Sequence, residues 1–119
     1  MKRMISLAAV FAVAATTVFA VVAYAGSSSS TATSVKVTAK DNFRFTLSRT
    51  SAPHGKVSFV VTNKGRLKHD FAIAGKKTKM LGHNQTATLT VSLSKGKHPY
   101  KCTVPGHAAA GMKGTFKST

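Results

Sequence analysis

Hydrophobic and polar positions alternate with a period of two along most of the chain beyond residue 34. Val35 and Val37 follow this pattern, as do Phe43, Phe45 and Leu47, then Val57, Phe59 and Val61, then His69, Phe71 and Ile73. Ala87, Leu89, Val91 and Leu93 make the most regular run, and Tyr100 and Cys102 end another. Successive side chains of a strand point to opposite faces, so each run predicts a strand with one face toward a core. Residues that turn the chain separate the runs: Pro53-His54-Gly55, Asn63-Lys64-Gly65, Gly82-His83-Asn84, Lys95-Gly96 and Pro105-Gly106. About seven to eight short strands at this spacing predict an all-β domain, an antiparallel sandwich or small barrel. Beyond the first residues no stretch keeps a helical period, and no segment repeats.

Residues 1–25 are patterned differently. Lys2 and Arg3 precede an uncharged run rich in Ala, Val and Phe that ends in Ala23-Tyr24-Ala25. A basic start, an apolar stretch and a small-x-small ending predict a signal peptide. The run from Met4 to Ala25 also has the length of a membrane span, so an uncleaved anchor is the competing reading. Both readings export the remainder, to the periplasm or the outer face of the cytoplasmic membrane. Residues 26–34 are rich in Ser and Thr with no apolar face, which predicts a flexible linker. The folded domain is then residues 35–119, large enough for one core.

Charge and composition narrow the chemistry. The chain has 119 residues with 18 Lys+Arg, 2 Asp+Glu and a formal net charge of +16. Asp41 and Asp70 are its two acidic side chains, which leaves little for a carboxylate pair or a carboxylate-rich Mg²⁺ or Ca²⁺ site. So few carboxylates also predict that folding loses little stability in acid. One cysteine cannot form a disulfide within the chain. Asn84-Gln85-Thr86 is a glycosylation sequon, relevant in a host that glycosylates.

The informative stretch is Tyr100-Lys101-Cys102-Thr103-Val104-Pro105-Gly106-His107-Ala108-Ala109-Ala110-Gly111-Met112. It sets a thiol, an imidazole and a thioether on one loop after a strand, a soft donor set. With one further histidine these match the two-His, one-Cys plane with a weak axial Met that holds copper for electron transfer. His69 is the best-placed second histidine, sharing its strand face with Phe71 and Ile73. An unpaired thiol in an exported protein oxidises unless something occupies it, which favours a ligand role for Cys102.

From Val35 to its end the chain resembles the cupredoxins, small blue copper proteins of the plastocyanin and azurin type. The matching pieces are V-x-F-V-V-x-N-x-G at Val57 to Gly65, H-D-F at His69 to Phe71, and Y-x-C-T-V-P-G-H-x-x-x-G-M at Tyr100 to Met112. The resemblance implies a Greek-key sandwich and one type 1 copper, cycling between Cu²⁺ and Cu⁺, bound by His69, Cys102, His107 and Met112. It makes His107 the exposed ligand edge through which electrons pass, within a small apolar surface of Pro105, Ala108, Ala109 and Ala110. Asp70, where many relatives carry Asn, is expected to accept N–H bonds from the ligand loop near Thr103 and stiffen it. His54, His83 and His98 are read as non-ligands, the first two as solvated turn residues. His98 departs from the family, which commonly has Tyr four positions before the Cys, and this puts the usual strand-corner hydrogen bond in question.

The expected function is single-electron shuttling between redox proteins by a monomer that is not an enzyme. Lys64, Arg66, Lys68, Lys76, Lys77, Lys79, Lys95, Lys97, Lys101 and Lys113 predict acidic partners of the cytochrome, oxidase or reductase type. Adhesion to anionic lipid and tethering by the N-terminus remain alternatives. Export and the lack of interleaved exposed aromatics argue against nucleic acid. The rival with the same ligands is an exported copper carrier or scavenger. An enzyme would need further histidines, and the chain has no H-x-H pair.

Overall fold

The computed structural model describes residues 31–119, all strands, turns and loops with no helix among them. The expected leader at 1–25 and most of the expected linker lie outside the described residues. Strands β1 (Thr33–Lys40), β2 (Arg44–Leu47), β4 (Gly55–Asn63) and β7 (Thr86–Leu93) form one sheet in the order β2-β1-β4-β7. Strands β3 (Ser51–Ala52), β5 (Ala72–Ile73), β6 (Lys76–Lys77), β8 (Gly96–Lys101) and β9 (Lys113–Ser118) form a second, ordered β3-β9-β8-β5-β6. Most pairings are antiparallel, but β1 runs parallel to β4 and β3 parallel to β9. The expected all-β sandwich is therefore present, with nine strands because three two-residue strands carry no period that a pattern could reveal.

Three local differences have physical causes. β1 begins at Thr33, inside the segment read as linker, because Thr33 and Ser34 pair with Val57 and Ser58. Phe43 does not belong to a strand: it sits in the β1–β2 turn with φ 57°. The run from His69 to Ile73 is strand only over Ala72–Ile73, with His69 held by an isolated bridge to Leu81.

The alternation becomes burial. Val35, Val37 and Ala39 of β1 and Val57, Phe59 and Val61 of β4 are at most 1% exposed, whereas Lys36, Lys40 and Lys56 face water. Aromatic rings join the sheets. Phe59 meets Phe71 at 5.1 Å and Phe116 at 5.2 Å between centroids, and Phe45 meets Phe71 at 5.3 Å and Tyr100 at 5.9 Å. Three of these pairs meet edge to face and Phe59–Phe71 is tilted; aromatic pairs of this kind add about 0.5–1.5 kcal/mol each beyond their buried area. His98, where a tyrosine was expected, makes a bond of its own: its Nε2–H donates to the Ser94 carbonyl at 2.7 Å. His54 and His83 are bonded rather than merely solvated, donating to Thr119 O at 2.9 Å and Gly65 O at 2.8 Å.

Phe59→Ala removes a ring held between the two sheets and is expected to cost about 3–5 kcal/mol. Urea unfolding of the metal-free protein checks this, with an unchanged slope and a lower midpoint as the expected result.

Candidate metal centre

Two segments 33 residues apart bring the donors together at one end of the sandwich. The first follows β4. Asn63 is fully buried, and its Nδ2 donates to the carbonyls of Leu67 and Leu81, each at 2.8 Å, while its Oδ1 accepts from Gly65 N. Leu81 in turn exchanges both backbone bonds with His69, at 2.8 and 3.1 Å. A buried amide with its bonds made is a rigid bracket, and this one sets the height of His69.

The second segment is the loop from Cys102 to Met112. Cys102 N donates to Met112 O at 3.0 Å and Met112 N to His107 O at 3.0 Å, so the loop closes on itself. Bonds from His107 N to Val104 O and from Ala110 N to Gly106 O, each at 3.1 Å, curl its middle. Gly111 is required there: its φ is 119°, and a Cβ would collide with the Arg44 guanidinium. Asp70 bolts the two segments together. It accepts from Thr103 N at 2.6 Å and from the Thr103 hydroxyl.

The result is a compact donor cluster. His69 Nδ1, Cys102 Sγ and His107 Nδ1 all lie within 4.8 Å of one another. The two Nδ1 atoms are 3.1 Å apart, and Sγ is 3.6 Å from His107 Nδ1 and 4.0 Å from His69 Nδ1. A first-row ion bound at about 2.0–2.3 Å to each of three donors would separate them by about 3.5–3.8 Å, and the observed 3.1, 3.6 and 4.0 Å bracket that range. Met112 is fully buried and shares a small apolar cluster with Ala39 and Cys102, against which Phe43, Phe45 and Val104 pack. Thiolate, two imidazoles and a thioether select a soft or borderline metal, copper above all. His107 is half-buried, Pro105, Ala109 and Ala110 are exposed, and Ala108 is half-buried, which leaves His107 at the surface of this end.

The pattern of alternation did not reveal the contribution of the β1–β2 turn. Asp41 Oδ1 accepts from His69 Nε2–H at 3.0 Å, and the same carboxylate accepts from Arg66 N at 2.7 Å and Leu67 N at 3.2 Å. This bond fixes the tautomer that leaves Nδ1 free for a metal and holds the ring plane. The carboxylate lies against Gly65, where a Cβ would strike it. Phe43 meets the His107 ring edge-on, with centroids 5.0 Å apart. Arg44 donates from Nη1 to Ala110 O at 3.1 Å and to Phe43 O at 3.0 Å. One turn thus steadies both histidines and the loop. The available signal was an acidic residue in a chain that has only two.

The titration behaviour follows from this packing. The Arg66 N–H, then the His69 side chain, hold the Asp41 carboxyl below its ordinary value of 3.8. Burial pushes the Cys102 thiol above its ordinary 9.0. Burial, then repulsion from His69, lowers His107 below its ordinary 6.5. In the absence of metal the thiol therefore keeps its proton at neutral pH, and metal binding must release it.

Comparison with known proteins agrees with the fold. A family model described as a cupredoxin-like domain matches residues 4–115. The chain belongs to the cupredoxin-like family. Among solved structures, auracyanin from the photosynthetic bacterium Roseiflexus castenholzii matches with a TM-score of 0.65 at 21% identity, over 74% of this chain and 98% of its own. Auracyanin A, described as a "blue" copper protein from Chloroflexus aurantiacus, matches with a TM-score of 0.61 at 16% identity, over 72% and 98%. An azurin from Methylomonas sp. strain J matches with a TM-score of 0.59 at 18% identity, over 73% and 98%. Identities this low carry the fold alone. No curated protein matches the sequence. The four side chains of this cupredoxin suit one copper ion.

Two outcomes are expected. Asp41→Ala weakens copper binding by about 10–100-fold, the usual cost of removing the group that orients a ligating histidine. A competition titration against a chelator of known affinity measures it. The metal-free protein is most stable between about pH 6.5 and 9.0. The lowered His107 favours the folded state above its ordinary value and loses that contribution as pH falls through its folded value. The raised Cys102 does so below its ordinary value and loses it as pH rises. Asp41 adds a further loss only below 3.8. Urea midpoints measured from pH 3 to 10 test the plateau, and stability climbing steadily to pH 10 would contradict it.

Proposed function

We propose that this cupredoxin is an exported electron carrier that passes single electrons between redox proteins through one type 1 copper. The observation that carries the reading is the convergence of His69 Nδ1, Cys102 Sγ and His107 Nδ1 beside buried Met112. Bound there, copper supplies a one-electron couple.

The protein's own residues do the rest. Cys102 as thiolate, His69 and His107 would hold the ion, with the buried Met112 thioether as a weaker fourth donor. The bonds from Asp41, Asp70, Asn63 and Arg44 hold these donors where they are, so little has to move when the charge of the site changes. The apolar cluster of Ala39, Phe43, Phe45 and Val104 keeps water from Sγ and the thioether. His107, with Pro105, Ala109 and Ala110 around it, offers the short exit for an electron.

Four protein donors leave no open position for a substrate, which supports a carrier over an enzyme. The basic leader start and the Ala23-Tyr24-Ala25 ending support a place in the periplasm or on the outer face of the membrane. The rival role, carrying copper as cargo, calls for a ligand set that opens. Here Cys102 is 1% exposed, Met112 is fully buried, and the loop that bears them is closed by its own backbone bonds.

Addition of Cu²⁺ to the metal-free protein is expected to give an intense blue thiolate-to-copper band that saturates at one copper per chain. The band should bleach with a mild reductant and return on oxidation, and Cys102→Ser should abolish it while the fold persists. A pale product, or copper lost on each cycle to a chelator, would overturn the shuttle in favour of carriage.

A further inference from the structure

The two sheets have outer faces of different character. Across the four-stranded sheet the rows Ser34–Ser58–Thr90 and Thr38–Thr62–Thr86 are hydroxyl ladders, with Ser58–Thr90 and Thr62–Thr86 bonded at 2.9 Å each. Across the five-stranded sheet the outward positions of β8 and β9 are Lys97, Pro99 and Lys101 against Lys117, Thr115 and Lys113. Register sets Lys97 opposite Lys117 and Lys101 opposite Lys113, and the second row continues through Ala72 to Lys77.

Like charges placed directly opposite one another on a sheet are unfavourable. Among the described residues no acidic side chain relieves them. The chain's two acidic side chains are engaged elsewhere, Asp41 with His69 and the Arg66 and Leu67 backbone, Asp70 with Thr103. An external anion is the remaining source of compensation. The same face is also concave: an open groove of about 950 Å³ is lined by Ala72, Pro99 and Thr115 together with Lys76, Lys77, Lys101 and Lys113.

We propose that this groove is the docking site for an extended acidic segment of the redox partner. Charge complementarity selects an anion, and apolar positions between the lysines accept side chains as well as charge. Concavity suits a protein segment better than the plane of a bilayer. Position gives the contact a use, because Lys101 and Lys113 are the chain neighbours of Cys102 and Met112, so the docked segment lies one residue from two of the metal ligands. The partner's identity as a redox protein rests on the electron-carrier reading; the anion site does not.

The test uses the full chain, with and without copper, and a fluorescent ten-residue oligoglutamate as probe. The triple variant Lys77→Gln, Lys101→Gln and Lys113→Gln is expected to weaken probe binding at least tenfold and to flatten its salt dependence. Its melting temperature should stay level or rise, since a like-charge pair is gone. The matched variant Lys36→Gln, Lys56→Gln and Lys95→Gln, with the same change in charge at other exposed positions, is expected to weaken binding less than threefold. Amide shifts on titration should concentrate at residues 72–77, 99–101 and 113–115. Equal losses from both variants, or shifts spread over the hydroxyl face, would overturn the site. Groove-dependent binding to phosphatidylglycerol vesicles without binding of the peptide would overturn the protein partner in favour of a membrane surface. Groove-dependent binding by a protein that gives no blue band would uphold the anion site and sink the electron carrier, and the reverse result would do the opposite.

Discussion

The pair of hydrogen bonds that Thr103 donates to the Asp70 carboxylate is the constraint on which the site depends. The ligands come from two segments that lie on different stretches of chain, and a carboxylate buried to 1% exposure accepts both the backbone N–H and the hydroxyl of Thr103. Asp70 follows His69 and Thr103 follows Cys102, so tying these neighbours sets the separation of the ligands themselves. A charged group buried this deeply costs free energy unless its bonds are made. Here the bonds are made with the one loop that has to be held, which turns that cost into positional precision.

The rest of the fold delivers those two segments to the same place. The aromatic contacts of Phe45, Phe59, Phe71, Tyr100 and Phe116 fasten sheet to sheet, and Phe71 and Tyr100 lie two residues from His69 and Cys102 respectively. Core packing therefore transmits rigidity to the metal ligands. The β1–β2 turn adds support from a third direction. Phe43 adopts a left-handed conformation that is unfavourable for a bulky residue, by roughly 1–2 kcal/mol. That strain coincides with contacts from Asp41 to His69, from Phe43 to His107 and from Arg44 to the loop, a concentration of strain at a functional site.

Scarcity of acid shapes the surface as much as the site. Both acidic side chains are engaged in the ligand framework, so the exposed lysines of β6, β8 and β9 have no acidic side chain as a partner. Distribution then decides what the charge can do. Hydroxyl rows alternate with scattered cations on one sheet, while lysines crowd β8 and β9 of the other beside Cys102 and Met112, and the excess charge acquires a direction.

The sequence by itself determined the longer strands, most of the core and the set of candidate donors. Alternation reports burial directly: Val35, Val37, Val57, Phe59 and Val61 are all buried because one face of each strand must leave water. The metal donors were legible because three of them lie within eleven residues on one loop and their chemistry is distinctive, and Asp70 was legible as the neighbour of His69. What only the tertiary structure decided depends on pairing between distant segments. Asp41 carries no mark in the sequence of the His69 ring it meets, 28 residues away. Phe43 continues the strand alternation on paper and leaves the strand in space, because a turn is needed to place Asp41 and Arg44. The lysine rows exist only through register, which sets Lys101 against Lys113 and carries the row to Lys77. Local pattern encodes which side of a strand faces water; which distant residue stands opposite is settled by how the strands pair.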